Sequence, residues 1–218
     1  MSNDLPYDPE QVPVGPRRRL LQRTPAGSSV LDVGCWSGFA GRFLRDSLGT
    51  EVEGVEPDPA MARRAERDYR AVYCMPIERA AEQLIAARRD YQVLLFLDVL
   101  EHLAAPGDVL RRARSLVTRD GVALVSLPNI AHWSMRKELL FGRWRYADSG
   151  LLDRTHLRFF TLASARELMV NAGWRITHED SAITAPPPLR ALPQERIALL
   201  RHWPELFAVQ LLFELRVA

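Results

Sequence analysis

The sequence predicts an α/β fold, a mainly parallel sheet with helices on both faces, and three observations carry that prediction. From residue 29 onward short apolar runs alternate with amphipathic stretches, the pattern of strands joined by right-handed crossover helices. The stretch Val30-Leu31-Asp32-Val33-Gly34-Cys35-Trp36-Ser37-Gly38 reads as a buried strand running into a glycine-bearing turn and then a helix. The run Val93-Leu94-Leu95-Phe96-Leu97 is apolar throughout, as a strand covered on both faces must be.

Taken in order, residues 1–16 carry Pro6, Pro9, Pro13 and Pro16 around Tyr7 and predict an extended arm. A short helix is expected over Arg17–Arg23, ended by Thr24-Pro25-Ala26-Gly27, then the first strand at Ser29–Val33. Phe39, Phe43, Leu44 and Leu48 recur at helical spacing and Gly49 closes that helix. A second strand covers 51–56 and leads through Glu56-Pro57-Asp58-Pro59 into a helix over 60–69. A third strand is expected at Ala71–Cys74, a helix at Ile77–Ala87, the central strand at Asp90–Leu97 and a helix at 106–117. A turn at Thr118–Gly121 then introduces a fifth strand, Val122–Leu127. Residues 130–160 break the alternation and read as a cap after strand 5. A helix at Thr161–Ala172, a strand at Trp174–His178, a short helix at 194–202 and a long apolar strand at Phe207–Val217 complete the chain. That last strand is expected to pair antiparallel, either inside the sheet or as the edge of a homodimer.

Composition bounds the function. At 218 residues and 47% hydrophobic, the chain can bury the core of one domain over 29–218, preceded by an arm and helix over 1–28. With 29 basic residues against 27 acidic and a net charge of +2, nucleic acid is not an expected partner. Lys137 is the only lysine, a bias that argues little about function. Cys35 and Cys74 are expected at buried strand ends, with no spacing that suggests a metal site or a disulfide framework. The proline-bearing start has no apolar signal-like segment and no run is long enough to span a bilayer, so a soluble cytoplasmic protein is expected.

Ligands of parallel sheets gather outside the carboxyl ends of the strands, where Asp32, Glu56, Asp98 and Asn129 all fall. The Asp32–Gly38 turn reads as the open amides of a nucleotide-type cofactor site, or as an ordinary packing corner. Glu56 lies 22 residues after Gly34, near the spacing at which a second-strand carboxylate reaches a ribose diol. Its other reading is a charge favoured by the following helix dipole.

With those residues placed, the chain resembles the class I S-adenosylmethionine-dependent methyltransferases over roughly residues 27–180. Val30-Leu31-Asp32-Val33-Gly34-Cys35-x-x-Gly38 is similar to the family's first motif, Val55-Glu56-Pro57-Asp58 to its second, and Asp98-Val99-Leu100-Glu101-His102-Leu103 to the segment after strand 4. Ser126-Leu127-Pro128-Asn129-x-x-His132-Trp133-Ser134-x-Arg136 and Leu152–Thr161 resemble a bacterial subgroup that includes MetW-like proteins and domains attached to glycosyltransferases. The resemblance implies a Rossmann-like seven-stranded sheet with an antiparallel last strand. It implies S-adenosylmethionine as cofactor, leaving as S-adenosylhomocysteine, contacted by Asp32, Gly34, Cys35, Trp36, Gly38, Glu56, Pro57, Met75, Ile77, Leu97, Asp98, Val99 and His102. Two departures stand out: Trp36 occupies a usual glycine position, and Met75-Pro76-Ile77 stands where the family often offers an Asp to adenine.

The sulfonium methyl is already activated, so the chain chiefly has to align a nucleophile with it, and a hydroxyl also benefits from losing its proton. His132 and His156 are the candidate bases, with substrate hydrogen bonding and structural pairing as their other readings. Arg136, Arg143, Arg145, Arg154 and Arg158 suit capture of an anion, or are solvated and paired with Glu138 and Asp148. Trp133, Trp144 and Tyr146 stack on a planar or sugar acceptor or pack the cap. The expected acceptor residues are Tyr7, Asn129, Trp133, Arg136, Trp144, Arg154 and Arg158. The leading expectation is O-methylation of a sugar-containing or anionic small molecule; the alternative is a non-catalytic, cofactor-binding regulatory subunit. A dehydrogenase is disfavoured because Gly34-Cys35-Trp36-Ser37-Gly38 lacks the second glycine of the dinucleotide fingerprint.

Overall fold

The structure is a computed structural model that describes residues 15–191 and 193–218, with only the backbone of Gln194. The expected arm, with Tyr7, lies outside the described residues up to residue 14. The chain forms two compact units, one from Met1–Leu95 with Ser115–Gly121 and the other from Phe96–Arg114 with Val122–Ala218.

The first unit holds helix α1 (Pro16–Leu21), strand β1 (Ser29–Val33), α2 (Phe39–Leu48), β2 (Glu51–Val55), α3 (Pro59–Ala65), β3 (Ala71–Tyr73), α4 (Ile77–Ala86) and β4 (Tyr91–Leu97) as far as Leu95. The strands β1, β2 and β3 run parallel, with Asp32 opposite Gly54 and Val55 opposite Tyr73. Both faces of β1 from Val30 onward and the whole of β4 beyond Gln92 are buried, which is why the latter reads as a continuous apolar run. One buried carboxylate, Glu53 on β2, is satisfied within this core by the hydroxyls of Tyr91 at 2.7 Å and Tyr73 at 3.0 Å and by the Arg89 guanidinium. Gly49 takes φ 60° and closes α2 as expected, and Asp58 accepts the amides of Ala60 and Met61 to cap α3.

The second unit holds α5 (Pro106–Ala113), β5 (Val117–Pro128) from Val122 onward, α6 (Trp133–Leu140), α7 (Leu162–Asn171), β6 (Trp174–Ile183), α8 (Gln194–Ala198), α9 (Pro204–Phe207) and β7 (Ala208–Val217). A capping box at Thr161, reciprocated by Ser164, starts α7. The indole of Trp174 donates to the Leu110 carbonyl at 2.9 Å and so ties the start of β6 to α5.

The seven strands stand in the order β3-β2-β1-β4-β5-β7-β6, and β7 is antiparallel to both β5 and β6. The expected mostly parallel sheet with an antiparallel last strand is therefore present. Because β7 is paired along both sides, it is not the edge at which a homodimer would extend the sheet.

Several boundaries move. The expected turn at Thr118–Gly121 is strand: β5 starts at Val117, and at Gly121 a side chain would run into the Gln92 carbonyl and Val117, so glycine there serves close strand packing rather than a turn. The helix expected to reach 117 ends at Ala113 and tightens into a 3₁₀ turn over Arg114–Leu116. The helix expected over 60–69 stops at Ala65, which frees Asp68 to pair with Arg42 and Arg45 and Tyr69 to turn inward. β6 runs five residues past His178, to Ile183, because β7 is long enough to pair it throughout. Cys74, expected to be buried, is exposed; Cys35 is buried.

At the end of β5 the fully buried Asn129 donates to the Ala208 carbonyl at 2.8 Å and accepts the Ala131 amide at 3.0 Å, joining β5 to the start of β7. Replacing Asn129 with Ala strands both backbone partners and is expected to cost about 1–3 kcal/mol. A fall in the urea midpoint at unchanged m-value checks this, and an unaltered midpoint would contradict it.

Candidate functional site

The turn after β1 is built by its own backbone. The amides of Gly34 and Cys35 both donate to the Val55 carbonyl, at 2.8 and 3.1 Å, and the Gly38 amide returns to the Cys35 carbonyl at 3.0 Å. The Trp36 amide donates to Glu56 Oε2 at 3.0 Å. Those donors, expected to stand open to a ligand, are spent within the turn, so a pyrophosphate would find no amide cradle from them. Trp36 holds φ 50°, in the left-handed region where an L side chain is strained, and its side chain is 40% exposed. The Cys35 side chain points back at Gly54 rather than outward, and burial pushes its thiol well up, with the charges of Asp32 and Glu56 adding to the effect. Its contribution to a ligand is limited to backbone.

Glu56, at the end of β2, is buried and shares its two oxygens between the amides of Trp36 and Asp58, the latter at 2.9 Å. Each oxygen keeps a second lone pair, the acceptor valence that a vicinal ribose diol requires. The strand-end acid thus sets the turn and retains capacity for a nucleoside, and the residues present fit one on that ground. Pro57 follows it, while Ile77 is buried and Met75 half-buried at the end of β3 and the start of α4.

Asp32 has a partner that the sequence reading missed. The Tyr69 hydroxyl donates to Asp32 Oδ2 at 2.5 Å and accepts the Gly41 amide at 2.9 Å. A Cβ at Gly41 would overlap the Tyr69 ring, one at Gly54 would overlap Cys35 Sγ and press on that ring, and one at Gly38 would press on Ala65 and the ring. These glycines make room for an aromatic side chain. Burial raises the Asp32 pKa to about 7, opposed by the Tyr69 hydrogen bond and reinforced by the Glu56 charge.

The second unit carries the other strand-end acid. Asp98 follows β4 with φ 55°, and its carboxylate accepts from Ser126 Oγ at 2.7 Å and from the Gln210 amide at 2.8 Å to each oxygen. Leu97 is buried and Val99 half-buried beside it. A 3₁₀ turn over Leu100–His102 then places the buried Glu101 and exposed His102, whose Nδ1 lies 3.3 Å from the Thr155 carbonyl. His156 stands edge-on to His102 with ring centroids 4.8 Å apart, and burial, then the His102 charge, lowers its pKa. It is neutral near pH 7.

The two candidate bases differ in kind. His132 is buried with both ring nitrogens engaged, Nδ1 with Ser134 Oγ and Nε2 with Thr184 Oγ1, each at 2.7 Å, and it caps α6. Burial lowers its pKa to about 4. The geometry gives His132 the structural pairing and not the expected base. Asn129 is likewise corrected from acceptor contact to internal bracket, since its side chain is fully buried. The Trp133 indole donates to the Thr184 carbonyl at 3.0 Å, and Arg136 and Arg158 donate to the carbonyls of Ala131 and Ala104, both at 2.7 Å. Arg154 pairs with Asp148 at 2.8 Å and Arg143 with Glu138 at 4.0 Å, the pairing expected of solvated arginines. Trp144 contacts Tyr146 and Phe159 edge-to-face and remains partly exposed.

The sheet order, with its single antiparallel strand, and the acid that ties the end of β2 to a glycine turn define the class: a class I S-adenosylmethionine-dependent methyltransferase fold. Residues 10–179 match the family described as a methyltransferase domain, and the chain belongs to that family, whose cofactor is S-adenosylmethionine. It is 33% identical over 105 residues to a ubiquinone biosynthesis O-methyltransferase of Azorhizobium caulinodans, covering 47% of this chain and 41% of that one. It is 29% identical over 181 residues to a protein of the same description from Cereibacter sphaeroides, covering 78% and 69%. The chain thus spans less than half the length of the first curated relatives it matches. Among solved structures, a SAM-dependent methyltransferase from Archaeoglobus fulgidus superposes with a TM-score of 0.64 at 16% identity, over 91% of this chain and 90% of that one. Among the described residues, no helix is long and apolar enough to cross a membrane.

Asp32 supplies a pH test of the buried network. Its carboxyl ionises near 3.9 in the unfolded chain and about 7 in the folded one. Between those values the folded state holds the extra proton, so this contribution is fully present below about pH 4 and is lost as pH rises through 7, by at most about 1.4 kcal/mol per pH unit. Chemical unfolding from about pH 5 to about pH 8 is expected to show this decline, and Asp32→Asn to flatten it. Equal slopes in the two proteins would remove Asp32 as its source.

Proposed function

We propose that this chain transfers a methyl group from S-adenosylmethionine to a hydroxyl of a small-molecule acceptor. The carrying observation is the turn after β1: its amides are consumed by Val55, Glu56 and Cys35 while the Glu56 oxygens keep acceptor capacity. Such a site suits the ribose of a nucleoside without phosphates and disfavours a dinucleotide. The cofactor, when bound, supplies a methyl group already activated on a sulfonium. In this reading Glu56 holds the ribose hydroxyls, and the turn from Gly34 to Gly38 and the side chains of Met75 and Ile77 line the nucleoside.

The acceptor side falls to residues 130–160, with His156 taking a proton from the acceptor hydroxyl. Its lowered pKa keeps it neutral near pH 7, and its Nδ1 has no hydrogen-bond partner. The aromatic group of Trp144, Tyr146 and Phe159 supports a planar or sugar-bearing acceptor, and the exposed Arg136, Arg154 and Arg158 support an anionic one. Oxygen as the methylated atom is supported by the descriptions of the two relatives above. Work in a reducing cytoplasm is part of the same proposal, supported by the exposed free thiol of Cys74.

Incubation with S-adenosylmethionine and a panel of hydroxylated aromatic and sugar acceptors is expected to add one methylene in mass to an acceptor and release S-adenosylhomocysteine. By calorimetry, Glu56→Ala is expected to weaken S-adenosylhomocysteine binding about tenfold or more, the loss of charge-assisted hydrogen bonds. Binding of NAD with no response to S-adenosylhomocysteine would overturn the reading. Cofactor binding without turnover on any acceptor would favour a regulatory subunit.

A further inference from the structure

We propose that Glu101, His102 and His156 form a binding site for a divalent first-row transition cation, zinc being the best match to the donor set. Each offers one ligand atom, and the three atoms lie within 4.8 Å of one another. Ligands about 2.1 Å from a tetrahedral ion stand about 3.4 Å from each other, so small side-chain rotations close the site.

The cluster is held from outside. The amides of Leu157 and Arg158, next to His156, both donate to the Glu101 carbonyl at 2.8 and 3.0 Å, which fixes the two ligand-bearing segments to each other. His102 turns Nδ1 to the Thr155 carbonyl at 3.3 Å and hydroxyl at 3.2 Å, and that hydroxyl bonds Asp153 at 2.6 Å. This is the outer-shell pattern that fixes the tautomer of a ligating histidine and leaves Nε2 for the ion. His156 Nδ1 is buried with no hydrogen-bond partner, an unsatisfied position that a metal bond would fill.

The chemistry agrees with the geometry. A fully buried carboxylate beside two imidazoles supplies one anionic and two neutral donors, and the charges of Asp153 and Asp98 also act on His156. Two nitrogen donors and one carboxylate suit zinc and its neighbours rather than magnesium or calcium, which take oxygen sets. Three protein ligands leave a position open for water or a hydroxyl. With the ion bound, His156 would be a ligand and no longer a free base, and the open position would take the acceptor hydroxyl and promote its deprotonation instead; that role rests on the methyl-transfer reading, whereas the binding of the ion does not.

The test uses full-length protein without a histidine tag, dialysed against a chelator and titrated with cobalt(II) as spectroscopic probe, then with zinc as competitor. Expected are visible cobalt bands of a nitrogen- and oxygen-ligated site of low coordination, displaced by zinc at about one ion per chain. His102→Ala alters an exposed side chain, and His156→Asn keeps much of the local volume; each is expected to weaken zinc about tenfold or more while circular dichroism stays unchanged. Wild-type protein that retains no more zinc than the His102→Ala/His156→Asn double variant overturns the site. Calorimetry with S-adenosylhomocysteine on the same samples separates the readings. Cofactor binding without zinc binding removes the metal site alone, and zinc binding without cofactor binding leaves the site and removes methyl transfer.

Discussion

A buried carboxyl group is tolerated where something donates to it, and for Asp32 that donor is the Tyr69 hydroxyl. Much local geometry follows from delivering this ring to that place. α3 has to end at Ala65 so that the chain can turn Tyr69 inward. Gly41 has to lack a side chain because the ring occupies the space, and Gly54 because Cys35 Sγ does, with the ring close beside it. The same hydroxyl accepts the Gly41 amide in the first turn of α2. The glycines around the first motif therefore do two jobs, and room for an internal aromatic residue is the one that the linear sequence hides.

The fold was largely legible because its signals are local. The apolar run of β4, the helical spacing of Phe39 to Leu48 with Gly49 behind it, and the strand-turn-helix at Asp32–Gly38 are each written within about ten residues, the length of a single element. What was misread depends on partners far away. Thr118–Gly121 has turn-like composition, yet close packing against Gln92 keeps it extended. Glu56 was placed by motif spacing, while its grip on the Trp36 amide needed coordinates. Tyr69 looked like the end of a helix, and nothing in its neighbours announces a bond to residue 32.

The histidines show the same division more sharply. From sequence, His132 and His156 had equal standing in an irregular segment. Thr184, fifty-two positions further on, satisfies His132 from β6's end and makes it a pillar of α6. His102, fifty-four positions before His156, meets it ring to ring and adds to the lowering of its pKa that burial begins. Two identical side chains have different surroundings because of partners contributed from remote parts of the chain, which spacing rules built for local motifs do not see.

The position of β7 bears on how the second unit is made. It follows β5 and β6 in the chain, yet it lies between them and pairs with both. Until it emerges, β6 has no neighbour in the sheet, and the facing edge of β5 exposes unpaired amides and carbonyls. Closure of this part of the sheet waits for the ten residues of β7, a high-contact-order step in which the nascent edges are vulnerable to pairing with another chain.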